Sequence, residues 1–480
     1  MLTGSEMARV DENAAALGVP RKQLMESSGN AVAHEVRQVA GPGSRVVVVA
    51  GRGNNGGDAF VAARFLDDYD VTVLLLGKPE TITTEIAREN WEALEQGEYD
   101  TQTVTDSSNV DLPEAAVVID AMLGTGVSGE LREPVATAAR AINESDATVI
   151  SVDVPSGLDA ETGEFPELVV EADRVVTFHD EKPGLDELDA PVTVADIGVP
   201  AAAEMFVGPG DLRPLTRDPE SHKGDHGEVL VVGGGPYTGA PALTAQAALR
   251  AGADLVRVAC PEAVSREVQA YEESLIVREL SGDRFSPSDV EPALDLAVEH
   301  DAVVLGPGLG DARETLNAAT AFLGGYDGTV VVDADALQIV PDVDSDATLV
   351  CTPHQGELKA MGGPAEDDWR ERANAVETFA ADLGATLLVK GAYDVISDGE
   401  TTRVNRTGNP GMTVGGTGDV LAGVTGALAC GLDPLDAAAV GAYANGQAGD
   451  LAREEVGGFG LLATDLPPRV PEALWGEQDE

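Results

Sequence analysis

The chain has 480 residues, 43% of them apolar, with no apolar run as long as a membrane span needs, so it reads as a globular protein of two domains. Its 84 Asp and Glu against 30 Lys and Arg leave a formal net charge of -54, a field that repels phosphate backbones and excludes nucleic acid as an expected partner. The acids are interspersed along periodic segments, which points to a salt-adapted, halophilic surface and not to a disordered tail.

In chain order, residues 5 to 18 and 21 to 40 read as helices, the second stopped by Gly41-Pro42. From residue 45 to about 200, short apolar runs alternate with amphipathic stretches. "RVVVVA", "VTVLLL", "AAVVIDA", "TVISVDV", "RVVTF" and "PVTVADI" read as strands of a parallel sheet flanked by helices. The stretch 207 to 227 is polar, rich in Pro and Gly and without period, and marks the domain boundary. A second alternation begins at "EVLVVGGG" and runs through "DLVRVAC", "DAVVLGPGLG", "GTVVVDADAL", "ATLVCTPHQGE" and "TLLVKG" to a helix-rich end. The expected organisation is α/β, two three-layer α/β domains, with boundaries 1–213 and 214–480.

Ligands of open parallel sheets bind at the carboxyl ends of the strands, so the residues just after each apolar run carry the information. "GRGNNGGD" after the first strand contains a literal G-x-G-x-x-G. The second strand, however, ends in Gly77-Lys78-Pro79, with no carboxylate to hold a ribose, so an NAD-dependent dehydrogenase is not supported. Asn54, Asn55 and Asp58 follow the first strand, Asp120 and "MLGTG" the third, and Asp153 with "VPSGLD" the fourth. Gly56-Gly57 suits close backbone approach to a ligand before a helix N-terminus, and Gly124-Thr125-Gly126 offers a second phosphate cradle. Asn55, Asp120 and Ser156 are hard oxygen donors, which would suit an alkali or alkaline-earth ion.

In the second domain, Gly415-Gly416-Thr417-Gly418 places successive N–H groups at a helix start, an anion hole aimed at a phosphate. Asp419 beside it is placed to take a proton from a hydroxyl that attacks the phosphate. His222 and His226 stand four apart, but Gly224 between them and the lack of a third ligand argue against zinc. Cys260, Cys351 and Cys430 form no C-x-x-C pair, and the first residues carry neither a basic leader nor an apolar signal core. A cytoplasmic protein is expected, with a homo-oligomer left open.

"GRGNNGGDAF", "VIDAMLGTG" and "SVDVPSGLDAETG" resemble, in order and spacing, the NAD(P)HX epimerases, Rossmann-like enzymes that interconvert the R and S forms of hydrated NADH and NADPH. The resemblance covers residues 1 to 210. It implies that Asn54, Asn55, Gly56, Gly57, Asp58, Gly124, Thr125, Gly126, Val127, Ser128, Gly129, Glu130 and Asp153 contact the substrate, and that Asn55, Asp120 and Ser156 hold potassium. Asp153 is the expected acid/base, a role that needs its pKa raised toward working pH.

"HKGDHGEVLVVGGG", "GPGLG", "DADAL", "TPHQGEL", "VKG" and "GNPGMTVGGTGD" resemble the NAD(P)HX dehydratases, which are ribokinase-like, from residue 222 to about 465. That resemblance implies that Ala240, Gly308 and His354 face the hydrated nucleotide and that Asp419 is catalytic. Lys390, Gly391, Asn409, Gly411, Met412, Gly415, Gly416, Thr417 and Gly418 would hold ADP, with Mg2+ on its phosphates. The implied reaction phosphorylates the hydrate's hydroxyl and then expels phosphate, returning NAD(P)H. The alternative is an ATP-dependent kinase of a small hydroxylated metabolite, with the first domain a nucleotide-binding scaffold.

Overall fold

The structure, a computed structural model, describes residues 1–126, 129–164 and 166–476. The chain divides into two compact units, Met1–Ala203 and Glu204–Glu480. The segment 204 to 213, which the sequence reading leaves with the first domain, packs on the second unit. There the Val207 N–H donates to the Val404 carbonyl at 3.0 Å, and the buried Arg403–Asp211 ion pair closes at 2.8 Å.

The first unit is built on a seven-stranded parallel sheet of order β3-β2-β1-β4-β5-β6-β7. Its strands are β1 (Arg45–Ala50), β2 (Asp70–Leu76), β3 (Asp100–Val104), β4 (Val117–Ala121), β5 (Thr148–Val152), β6 (Arg174–Phe178) and β7 (Val192–Ala195). Val46, Val48 and Ala50 enter one core cluster, with residues of the helices α1 (Gly4–Ala16), α2 (Arg21–Val39) and α3 (Asn54–Phe65), while Val47 and Val49 enter another on the opposite face. Burial on both faces explains why β1 is an unbroken apolar run and not an alternating one. β3, "DTQTV", is a polar edge strand that carries no apolar signal to read.

The second unit carries a nine-stranded sheet of order β10-β9-β8-β11-β12-β13-β14-β15-β16. Its strands are β8 (Glu228–Val232), β9 (Leu255–Pro261), β10 (Ile276–Leu280), β11 (Ala302–Leu305), β12 (Thr329–Val332), β13 (Thr348–Cys351), β14 (Thr386–Val389), β15 (Asp394–Ser397) and β16 (Thr402–Asn405). All pairs are parallel except β14–β15 and β15–β16. Each sheet reverses its strand order beside its first strand, at β1/β4 and at β8/β11. Those reversals open the crevices in which such sheets bind ligands.

Candidate active sites

At the first crevice, Asn55 on α3 bridges the reversal point, its Nδ2 donating to the Leu123 carbonyl beyond β4 at 2.7 Å. Its Oδ1 is buried and accepts no hydrogen bond. Asp120, fully buried on β4, accepts from the Ser151 hydroxyl at 2.9 Å, the Ser156 N–H at 2.8 Å, the Ser156 hydroxyl at 2.6 Å and the Met122 N–H at 3.3 Å. Burial raises its pKa, and the hydrogen bonds from Ser156, Ser151 and Met122 pull it back down. The Leu123 N–H donates to the Ser156 Oγ at 3.0 Å, so Asn55, Asp120 and Ser156 meet around Leu123 in one network.

The glycines of the first turn serve the protein's own packing. A Cβ on Gly56 would lie 2.2 Å from the Gly51 carbonyl oxygen, and one on Gly57 would lie 2.8 Å from Met25 Cε of α2. Internal packing therefore requires glycine at both positions by itself. The N–H groups that open α3 remain free of helical partners. Asn54 is exposed at that start, and Asp58 lies buried one turn further on. Gly124 rests against Asn55, and Thr125 against Gly4 of α1; Gly126, Gly129 and Glu130 are exposed. Val127 and Ser128 lie outside the described residues.

Asp153 follows β5 with φ at 66°, a left-handed conformation unusual for a residue other than glycine. Its N–H donates to the Val176 carbonyl at 2.7 Å, and its Oδ1 accepts from the Thr177 hydroxyl at 3.0 Å. The Lys182 ammonium lies 3.0 Å from the same oxygen. Burial pushes Asp11 on α1 up to about 6 and Asp58 well above the usual carboxylate range, with Asp153 contributing to both. Sequence reasoning missed Lys182, because "HDEKPG" looks like a charged surface turn.

In the second crevice, Asp333 after β12, Thr352 after β13 and Lys390 after β14 come from successive strand ends. The Thr352 hydroxyl donates to Asp333 Oδ1 at 2.8 Å, and Lys390 Nζ lies 2.9 Å from the same oxygen and 3.8 Å from Glu357 Oε2. A Cβ on Gly418, at the start of the helix Thr417–Leu428, would stand 3.1 Å from Lys390 Nζ. The ammonium thus stands at the N-terminus of that helix, an arrangement whose charge and N–H groups suit an anion. Asp419 beside them is raised to about 7, first by burial, then by Asp333 and Glu357, against Lys390. Asp333 was missed, although the strand-end rule would have found it after "TVVV".

Ala240 and Gly308 are neighbours, a Cβ on Gly308 lying 3.4 Å from that of Ala240. Gly416, with φ at 101°, caps the helix against Ala463 and Leu243, where a Cβ would come within 2.8 and 2.9 Å of side-chain carbons. His354 pairs with Lys390 in an isolated bridge, its Nδ1 accepts from the Gly356 and Glu357 N–H groups at 2.9 and 3.1 Å, and its Nε2 lies 3.5 Å from Glu357 Oε1. Asn409 is consumed by the fold: its amide donates to the Gly449 carbonyl and Asp450, and its oxygen accepts from the Gly411 N–H at 3.0 Å. The Gly391 N–H is likewise committed to Asp394, at 2.8 Å. Thr417 donates to the Met412 carbonyl at 3.0 Å and Met412 packs on Gly449, so these residues set the loop's shape while Gly415 stays exposed.

A Rossmann-like unit and a ribokinase-like unit, each with carboxylates at a strand-end crevice and one with a lysine at a helix start, define a two-site α/β enzyme. Residues 21–184 match the family described as YjeF-related protein N-terminus, and residues 229–472 match NAD(P)H-hydrate dehydratase. The chain is similar to the bifunctional NAD(P)H-hydrate repair enzyme of Methanothermobacter thermautotrophicus, 45% identical across 98% of this chain and 94% of that one. It is 43% identical to the Archaeoglobus fulgidus enzyme of the same name, across 98% of each chain. Among solved structures it resembles the Bacillus subtilis ADP/ATP-dependent NAD(P)H-hydrate dehydratase, co-crystallised with ATP and Mg2+, at 27% identity and a TM-score of 0.50, over 56% of this chain and 97% of that one. The chain belongs to the bifunctional NAD(P)H-hydrate repair enzymes.

Proposed function

We propose that the first unit epimerises R and S NADHX and NADPHX, and that the second dehydrates the S form at the expense of ADP, giving AMP and phosphate. The observation that carries this reading is Asp419, a carboxyl poised near neutrality beside Lys390 and the start of the helix Thr417–Leu428. Asp419 takes the proton of the hydrate's hydroxyl as its oxygen forms a bond to the β-phosphorus of ADP and AMP leaves. Phosphate then departs with the C–O electron pair, a ring carbon gives up a proton, and the double bond returns. Lys390 exchanges its contact with Asp333 for the transferred phosphoryl group.

In the first unit, Asp153 takes the hydroxyl proton, the oxygen closes to a carbonyl and the ring C–N bond breaks. The proton passes to the ring nitrogen. Rotation in the opened chain and closure on the other face invert the centre. Potassium fits Asn55, Asp120 and Ser156, since the donors are hard oxygens and Asn55 Oδ1 is buried without a partner. Bound there, it would add positive charge at the rim where the dinucleotide would sit. Mg2+ needs only one or two protein carboxylates besides phosphate and water, which Asp333 and Glu357, both beside Lys390, would supply. Among the described residues no helix is long and apolar enough to cross a membrane, and the three free cysteines suit a reducing cytoplasm.

Two variants test the division of labour. Asp153→Asn should slow consumption of the R form by on the order of 10²–10⁴ and spare dehydration of the S form, whereas Asp419→Asn should slow NADH recovery by a like factor and spare R/S interconversion. Loss of both activities in either folded variant would contradict it.

A further inference from the structure

Lys182 is among the largest fully buried side chains, at 1% exposure, in a protein that has 30 basic residues against 84 acidic ones. A buried ammonium survives only with its charge and its donors matched. Three oxygens surround Lys182 Nζ: the Phe178 carbonyl at 2.8 Å, the Asp180 carbonyl at 3.1 Å and Asp153 Oδ1 at 3.0 Å. An ammonium has three N–H groups, so none is left for a substrate.

The consequence falls on Asp153. Lys182 and the Thr177 hydroxyl both engage Oδ1, and among the described residues no hydrogen bond reaches Oδ2. The Asp153 backbone is held in its left-handed conformation by the Val176 carbonyl. The side chain is 17% exposed, and of its two oxygens Oδ2 is the one that no described residue engages. Asp11 and Asp58 add two more carboxyls to the same electrostatic neighbourhood, yet among the described residues the ion pair of Lys182 goes to Asp153.

We propose that Lys182 is a positioning residue of the epimerase site, pinning Asp153 by Oδ1 so that Oδ2 alone exchanges the proton of the hydroxyl on the hydrated carbon. This rests on the epimerase reading of the first unit. Lys182 touches Asp153 and not the substrate, so its loss acts on turnover and not on binding.

The test uses the full chain, with R-NADHX as substrate and interconversion followed chromatographically without ADP. Lys182→Met should lower kcat at least 100-fold with KM changed less than threefold, while dehydration of S-NADHX by the same preparation stays at the wild-type rate. An unchanged kcat, or a loss confined to KM, overturns the proposal. Should K182M fail to fold, because it leaves the partly buried Asp153 without its ion pair, the double variant Asp153→Asn/Lys182→Met removes both charges. It should match D153N in kcat within threefold, since Lys182 acts only through Asp153; a further tenfold loss overturns the proposal. Wild-type protein that does not interconvert R and S at all would instead sink the epimerase reading, a separate outcome.

Discussion

Ser156 clamps both oxygens of a carboxylate on the neighbouring strand: its hydroxyl donates to Asp120 Oδ1 at 2.6 Å and its N–H to Oδ2 at 2.8 Å. Asp120 has no solvent exposure, so Ser156→Ala leaves a buried acceptor short of its best donor. The expected cost is about 1–3 kcal/mol, read as a lower urea midpoint at unchanged slope.

The same network gives a prediction about potassium. Asn55→Ala deletes the buried, unpartnered Oδ1 and the bond from Nδ2 to the Leu123 carbonyl. Epimerisation by the wild type should be faster in KCl than in NaCl. The variant should be slower and indifferent to the choice of cation, with S-form dehydration unaffected.

Asp419 titrates near 7, which fixes two pH dependences. As a base it works deprotonated, so dehydration should fall about tenfold per unit as pH drops below about 7, and D419N should lose on the order of 10²–10⁴ in kcat. For stability the sign is opposite. A folded-state value raised from 3.8 to about 7 means that the folded protein binds the proton more tightly, so wild-type stability falls as pH rises across that window. D419N, which cannot ionise there, should melt higher than wild type at pH 8, and the gap should close below pH of about 4. A pH-independent gap would contradict the burial of this carboxyl.

Gly418 tests the anion hole. A methyl there would sit 3.1 Å from Lys390 Nζ, so Gly418→Ala must shift the ammonium, and KM for ADP should rise about tenfold or more. Gly416→Ala meets both the left-handed φ of 101° and the Ala463 and Leu243 side chains, and should cost stability as well, by about 1–3 kcal/mol.

What could be read in the sequence follows from where the physics is local. Strands buried on both faces are continuous apolar runs, so β1, β4, β8 and β11 and the polar residues at their ends were legible, and with them Asn55, Asp120, Asp153 and Asp419. β3 and the antiparallel pair β15 and β16 were not, being short and mixed in polarity. Glycines were legible as glycines but not in their purpose: Gly56 and Gly57 yield to Gly51 and Met25, contacts that sequence does not display. Lys182 was out of reach because a lysine in a charged turn is ordinarily solvated, and only the fold buries it against Asp153.

The charge of -54 should make stability depend on salt. Screening shortens from about 10 Å at 0.1 M to about 3 Å at 1 M, so the melting temperature should climb steadily with KCl over that range. A flat response would argue against a salt-adapted surface.

The most direct measurement is recovery of NADH from an R and S NADHX mixture by the wild-type protein, in concentrated KCl with magnesium, comparing ADP, ATP and no nucleotide. Complete recovery with ADP is predicted, since the first unit feeds the R form to the second. A halt when the S form is exhausted would contradict the role of the first unit. No recovery with any nucleotide, by folded protein, would contradict the repair activity itself.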